Sequence, residues 1–443
     1  MLGIPATQEP DPDGLRRCHC GLTGEISMCR NGIHCLLAAG LMALATPADA
    51  ADLAIVGGRL QPSPYEAPIE NAVVLVSDGR IEAVGRAGEV AIPAGTRTLD
   101  ASGKVVVAGF WNSHAHLLGP AYRNVGKAPA AKHESTLREQ YGQWGFTTVY
   151  DLASAPGEAQ ALVRRIEAGE VTGPRVLSTG VPFFPAGGTP IYVRGHDLGI
   201  EGDVAEVVDA EAGRNRAGEQ LAQGARGVKL FTGSIVGGSE GVRLMDAAVA
   251  SAIGKVARDR GQPVFAHATD AGGLVVALQA GADVLAHATP ASGPWDAATV
   301  QRLVAEGVAL VPTLAMFELE IRREQVPEPV VQRLVGNAQA QVAALQAAGG
   351  QVLFGTDAGY IEDFDTTREL QLLAATGLDW RQVLASLTTA PARMFGEADA
   401  RGRIAPGFAA DLVVLGADPE QGVEALADVA YTLRAGELIH RAD

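Results

Sequence analysis

Beyond Cys35 the chain has no cysteine: all four, Cys18, Cys20, Cys29 and Cys35, fall near the start of its 443 residues. Most of the molecule is therefore built without disulfides or a cysteine metal cage. The grouping Cys18-His19-Cys20 with His34 and Cys35 lacks the paired spacing of a structural zinc site. Positive charge is also short, with 35 Lys and Arg against 51 Asp and Glu, a formal net charge of −16. No local basic stripe offsets this acidic field, which repels phosphate backbones and argues against nucleic-acid binding. The 54 glycines follow no every-third-residue period, so collagen is excluded. Hydrophobic residues at 47% and charged residues at 19% make an ordinary globular composition, not a disordered one.

Long hydrophobic runs are missing too. Ile33 to Ala45 is an apolar run of 13 residues, too short to cross a bilayer as a helix. With Arg30 before it and Ala48-Asp49-Ala50 after it, the run reads as a signal peptide over 28–50. Residues 1–27 are unusually polar for a leader and Met28 stands just before Arg30, so translation is expected to begin at Met28, with 1–27 a mis-assigned start. The mature chain would run from Ala51, periplasmic or secreted, with no permanent membrane anchor and no thiol to oxidise. The leader holds five acids and three bases, so its removal leaves an acidic chain.

After the leader, residues 52–107 read as short strands separated by turn signals, and 402–415 and 430–440 have the same character. This predicts a small composite β-sandwich domain formed from both chain ends, 51–108 and 396–443. Between them, over 109–395, eight short apolar runs alternate with amphipathic Ala-rich stretches: VVVAGFWNSHAH, TTVYDLA, RVLSTG, GVKLFTG, PVFAHAT, DVLAHAT, ALVPTL and VLFGTDAG. That is the arithmetic of an α/β chain folded as a (β/α)8 TIM-type barrel. A doubly wound sheet would want GxGxxG after its first strand, and none is there.

Histidine is scarce, nine in all, so its placement is informative. His114 and His116 close the first run, His267 the fifth and His287 the sixth. Positions i and i+2 of a strand share a face, so His114 and His116 point inward together. Asp357 ends the eighth run and Lys229 lies on the fourth. Barrel enzymes build their sites at these strand ends, and imidazoles with a carboxylate suit a divalent metal such as zinc. Gly237-Gly238-Ser239-Glu240-Gly241 matches G-x-S-x-G, but a glycine-rich loop leads into it rather than a buried strand, so it is not a nucleophile elbow.

The set of HxH, Lys, His, His and Asp on the first, fourth, fifth, sixth and eighth runs resembles the amidohydrolase superfamily of metal-dependent hydrolases. The closing LTTAPARMFG and GRIAPGFAADLVVLGADP are similar to its imidazolonepropionase-like and prolidase-like members. The resemblance implies one or two divalent ions, with His114, His116 and Asp357 on the buried metal and His267 and His287 on the more exposed one. It also implies that Lys229 bridges them as an N-carboxylated lysine. The chemistry agrees, because an ammonium has no lone pair to donate whereas a lysine carbamate is an anionic oxygen ligand. An unmodified lysine beside a single metal is the alternative.

The expected activity is hydrolysis of an amide-type C–N bond by metal-activated hydroxide, with Asp357 as general acid and base. Related deaminases of heterocyclic amines often carry H-x-x-E after the fifth-strand His. This chain reads His267-Ala268-Thr269-Asp270 and adds Lys229, which favours an amidase, dipeptidase or lactamase. A non-catalytic periplasmic binding barrel is the remaining alternative. The expected partner is a small amide or peptide substrate, and a homo-oligomer is left open. The loop after the third run carries Phe183, Phe184, Tyr192 and Arg194, Arg123 follows His116, and Phe317 and Tyr360 follow the last two runs. Aromatics with an arginine suit an N-acyl amino acid, a dipeptide or a cyclic amide, with Arg123, Tyr192 and Arg194 as candidate substrate contacts.

Overall fold

The computed structural model describes residues 51–442. The expected leader, with its cysteines and the start at Met28, lies outside the described residues.

Strands from the two chain ends meet in one sheet. Leu53–Leu60 pairs antiparallel with Ile69–Ser77, which pairs with Arg80–Arg86. On the other side Leu53–Leu60 pairs parallel with Val105–Ala108, and this strand receives Leu412–Leu415 from the far end of the chain. Val429–Arg434 and Glu437–Arg441 complete the sheet, while Arg97–Asp100 pairs beside Val105–Ala108 on the same strand. The strands form one eight-stranded hydrogen-bonded sheet, not the two separate ladders of an idealised sandwich.

The period-2 rule explains how this sheet is held. In Val105–Ala108, Val106 and Ala108 join Leu53, Ile55, Val74 and Leu412 in a core of the terminal strands. Their neighbours Val105 and Val107 face the other way, into the main core with Phe110, Phe146 and Leu137. Val413 and Leu415 do the same from the C-terminal side. A strand buried on both faces needs apolar residues at successive positions, which the run VVVA supplies.

Between the two ends, parallel strands alternate with helices, an α/β fold. Phe110–Leu117, Phe146–Ser154 and Arg175–Ser178 form one parallel sheet. Val228–Phe231, Val264–His267, Val284–Ala286 and Ala309–Val311 form another. Backbone hydrogen bonds join the two at both sides. Phe183 donates to Lys229 O at 2.8 Å and accepts from Phe231 N at 2.9 Å. Segment 352–358, which forms no regular ladder, lies between the last strand and the first. Leu353 N donates to Leu310 O at 2.9 Å, and Ser113 N donates to Phe354 O at 2.8 Å.

Helix starts are set by aspartates. Asp209, Asp246, Asp270 and Asp296 each cap a helix, their carboxylates accepting the N–H groups that the first turn leaves unpaired. Asp379 and Gln382 form a full capping box. Among the described residues no helix is long and apolar enough to cross a membrane.

Candidate metal centre

The C-terminal ends of the parallel strands bring together residues far apart in the chain. Phe110–Leu117 is buried at every position, and its alternation turns both His114 and His116 inward. Their Nε2 atoms are 3.3 Å apart. Segment 352–358 approaches closely enough for Asp357 to reach both, its Oδ1 lying 3.3 Å from His114 Nε2 and 2.7 Å from His116 Nε2. Glycines make that approach sterically feasible. A Cβ at Gly355 would sit 2.8 Å from His114 Cβ, and one at Gly359 would meet His116 O at 2.0 Å.

His287 joins from the sixth strand. Its Nε2 is 3.8 Å from Asp357 Oδ2, and its ring lies 4.4 Å from that of His114, centroid to centroid. His267 packs edge-on to His287 at 4.8 Å and stacks on Phe231 at 4.5 Å. The candidate ligand atoms of His114, His287 and Asp357 all fall within 4.8 Å of one another. Lys229 is fully buried on the fourth strand, with Nζ 5.5 Å from the centroid of Phe231.

The donor set fits a divalent cation. Asp357 Oδ1, Lys229 Nζ and His267 Nε2 are buried with no hydrogen-bond partner, an expensive arrangement for polar atoms unless a ligand satisfies them. The short approaches to Asp357 Oδ1 are not aligned hydrogen bonds; the atoms converge on a shared space. Two imidazole nitrogens and a carboxylate oxygen are donors that suit a divalent metal. The buried Asp151 beside His116 is already satisfied, accepting from Ser178 Oγ at 2.5 Å and Leu117 N at 2.9 Å. It secures the backbone after His116 and is no ligand.

Electrostatics agree with this chemistry. Burial, reinforced by Lys229, pushes His114 down to about 3, and burial holds His267 and His287 well below the usual imidazole range. Neutral imidazoles keep a lone pair for a metal. Burial lowers Lys229 to about 7, against the pull of Asp357. Burial would raise the Asp357 carboxyl, but His114 and His116 outweigh it and hold it well below the ordinary carboxylate range.

Backbone strain gathers here. His287 has φ 133°, Asp357 62°, Thr269 61° and Thr313 47°, all at the ends of the parallel runs. Non-glycine residues in that region cost about 1–3 kcal/mol each and mark functional sites.

Residues 105–440 match the amidohydrolase family. The chain belongs to that family. Among solved structures, a putative prolidase from Bifidobacterium longum shares 26% identity with a TM-score of 0.73, covering 88% of this chain and 94% of that one. A Xaa-Pro dipeptidase with methionine bound in its active site has the same fold, at 20% identity and a TM-score of 0.74, covering 88% of this chain and 100% of that one. A 5-methylthioadenosine/S-adenosylhomocysteine deaminase from Symbiobacterium thermophilum is 30% identical over 176 residues, 38% of this chain and 36% of its own length. The chain spans about a third of the length of the curated relatives it matches.

The other residues singled out in the sequence have varied fates. Tyr192 packs edge-on to Tyr360 at 5.2 Å, and the backbone N–H of Tyr360 donates to Asp357 O at 3.1 Å. Burial, with Tyr360 and Asp357 nearby, raises the Tyr192 phenol well above its ordinary value, so it stays protonated. Phe317 meets the His287 ring at 5.8 Å. Arg123 is paired with Asp197, and Arg194 Nε donates to Thr189 O at 2.8 Å. Asp270 caps the helix Ala271–Gln279 through Gly273 N and does not serve as an acid after His267. Ser239 sits at the tip of the antiparallel hairpin Gly233–Gly237 and Gly241–Leu244, where no helix follows it. Sequence reasoning missed Asn112, Thr313 and Glu369, whose only signal was a place near a run's end or on a helix.

Proposed function

We propose that the chain is a metal-dependent hydrolase that cleaves an amide-type C–N bond in an N-acyl amino acid, a dipeptide or a cyclic amide. The observation that carries this reading is the buried convergence of His114, His287 and Asp357, whose ligand atoms lie within 4.8 Å of one another, with His116 beside Asp357. Lys229, His267 and the unpartnered atoms around them extend the set toward a second ion. We read the eight parallel segments as a closed (β/α)8 barrel over 109–395, with 51–108 and 396–443 as the composite β-domain. Zinc is the proposed metal, and the leader supports a periplasmic or secreted location.

A divalent cation held by His114, His287 and Asp357 would supply an acidified water and would polarise the substrate carbonyl. Asp357, held ionised by His114 and His116, takes a proton from the attacking water. It returns that proton to the leaving nitrogen as the C–N bond breaks. Lys229, brought close to neutrality by burial, has the free amine lone pair that addition of carbon dioxide requires. Tyr192, Tyr360 and Phe317 supply the apolar and hydrogen-bonding walls against which an acyl or side-chain group packs. Arg123 and Arg194 recognise a substrate carboxylate only by exchanging the partners they now hold.

A second reading, deamination of a heterocyclic amine, draws on the deaminase relative. Metal analysis of the purified chain, with turnover assays on N-acyl amino acids, dipeptides, cyclic amides and aminoheterocycles, tests both. Metal-free protein that stays inactive after zinc or manganese is added would overturn the proposal.

A further inference from the structure

The helix Leu314–Arg323 begins in an unusual way. Thr313 is its N-cap residue, and a threonine there normally turns its hydroxyl back to accept the N–H of the second or third helical residue. This one makes no such bond. Its Oγ1 lies 2.9 Å from Nδ1 of His287, and the residue is held at φ 47°, a costly conformation for a β-branched side chain. The helix is capped from elsewhere. Ala315 N, the second N–H of the helix, donates to Oε2 of Glu369 at 2.6 Å, and Glu369 is a 2% exposed carboxyl on the helix Thr367–Ala374.

We infer that Thr313 and Glu369 are paired positioning residues for His287: Glu369 takes over the cap, and the released Thr313 hydroxyl accepts the Nδ1–H of the imidazole. A neutral imidazole carries one proton, so a proton fixed on Nδ1 leaves the Nε2 lone pair free. That Nε2 lies 3.8 Å from Asp357 Oδ2, on a ring whose centroid is 4.4 Å from that of His114. Phe317 stands edge-on to the same ring, and its N–H donates to Thr313 O at 3.2 Å, so one turn of helix fixes both the tautomer and the tilt. By contrast, Nδ1 of His114 and of His116 has no partner. The inference rests on the metal-site reading above.

The test uses the full chain without metal, then zinc alone as probe. In 15N spectra of the imidazoles, the wild-type His287 signal, identified by its loss in His287→Asn, should be that of the Nδ1–H tautomer. In Thr313→Ala it should shift toward a mixture. Zinc affinity by calorimetry should fall about 10- to 100-fold, the usual effect of removing such an outer partner. Tm should hold or rise, because alanine relieves the β-branched residue at positive φ. Thr313→Ser should restore tautomer and affinity. Glu369→Gln, which keeps a capping oxygen, should bind zinc normally, whereas Glu369→Leu should behave as Thr313→Ala. Unchanged tautomer and affinity in Thr313→Ala overturn the inference. So does a loss that tracks a lowered Tm and is not rescued by serine. Wild-type protein that binds no zinc defeats the metal-site reading instead, while the tautomer spectra still decide the part played by Thr313.

Discussion

Asn112 fastens the strand that carries His114 and His116 to the segment that carries Asp357 by holding Thr356. Its Nδ2 donates to Thr356 Oγ1 at 2.7 Å, while its Oδ1 accepts from His114 N at 3.2 Å and from Thr356 N at 3.3 Å. Both residues are buried, one position from Asp357 on one side and two from His114 on the other. With the backbone bonds from Asp357 N to His114 O at 2.9 Å and from His116 N to Ala358 O at 2.7 Å, this amide sets the offset at which Asp357 meets the His-x-His pair.

Asn112→Ala takes the Oδ1 acceptor from His114 N and one of two partners from Thr356 Oγ1 and Thr356 N, which keep Ala358 N and His114 O, and a buried group left unpaired costs about 1–3 kcal/mol. The variant should lose about 1–3 kcal/mol of stability in urea denaturation and bind metal more weakly. A stability within ~0.5 kcal/mol of wild type, the range of an ordinary surface change, would show that the clamp contributes nothing.

Asp357→Asn separates two roles. The amide oxygen can still approach a metal but cannot take a proton at neutral pH. We expect kcat to fall by roughly 10²- to 10⁴-fold, with the fold and much of the metal retained. His114→Ala should lose metal and activity together. Metal stoichiometry and kcat on both variants decide the matter, and near-normal kcat in Asp357→Asn would assign the proton to another group.

Lys229→Ala should lower the metal bound per chain and abolish most of the turnover, because it removes the anionic bridge that the proposed Lys229 carbamate would provide. Short carboxylic acids added to this variant should restore part of the activity. In wild type, 13C-labelled bicarbonate should give a carbamate signal that is absent from Lys229→Ala. Full activity and unchanged metal in the variant would reject the bridge.

Glu369 makes stability depend on pH. Burial, only partly opposed by the N–H groups of Ala315 and Leu314, raises its pKa from 4.5 to about 7. The folded chain therefore keeps a proton that the unfolded chain has released between these values. Stability should be greatest below pH 4.5 as far as this group is concerned, fall as pH rises to about 7, and stay level above it. The contribution is of order 3 kcal/mol, at about 1.4 kcal/mol per pH unit. In Glu369→Gln this slope should vanish, so the variant gains on wild type between pH 5 and pH 8. Parallel urea melts at the two pH values check it, and identical slopes would mean that the carboxyl is ionised throughout.

Much of the molecule is written along the chain in local terms. The alternation of short apolar runs with amphipathic stretches names the α/β order, and the period of two within a strand already turns His114 and His116 the same way. Those signals are readable because side-chain direction follows from backbone geometry within a few residues. What a side chain finds when it arrives was decided only in three dimensions. Asp270 resembles an acid beside His267 but is spent on a helix cap, Arg123 is held by Asp197, and Thr313 gives its cap to Glu369 to reach His287. The terminal strands likewise close into one sheet because Val105–Ala108 meets Leu412–Leu415 across the length of the chain. Each outcome is a competition among donors and acceptors distant in sequence, so hydrophobic period reports which residues turn inward and only packing settles which partner each one keeps.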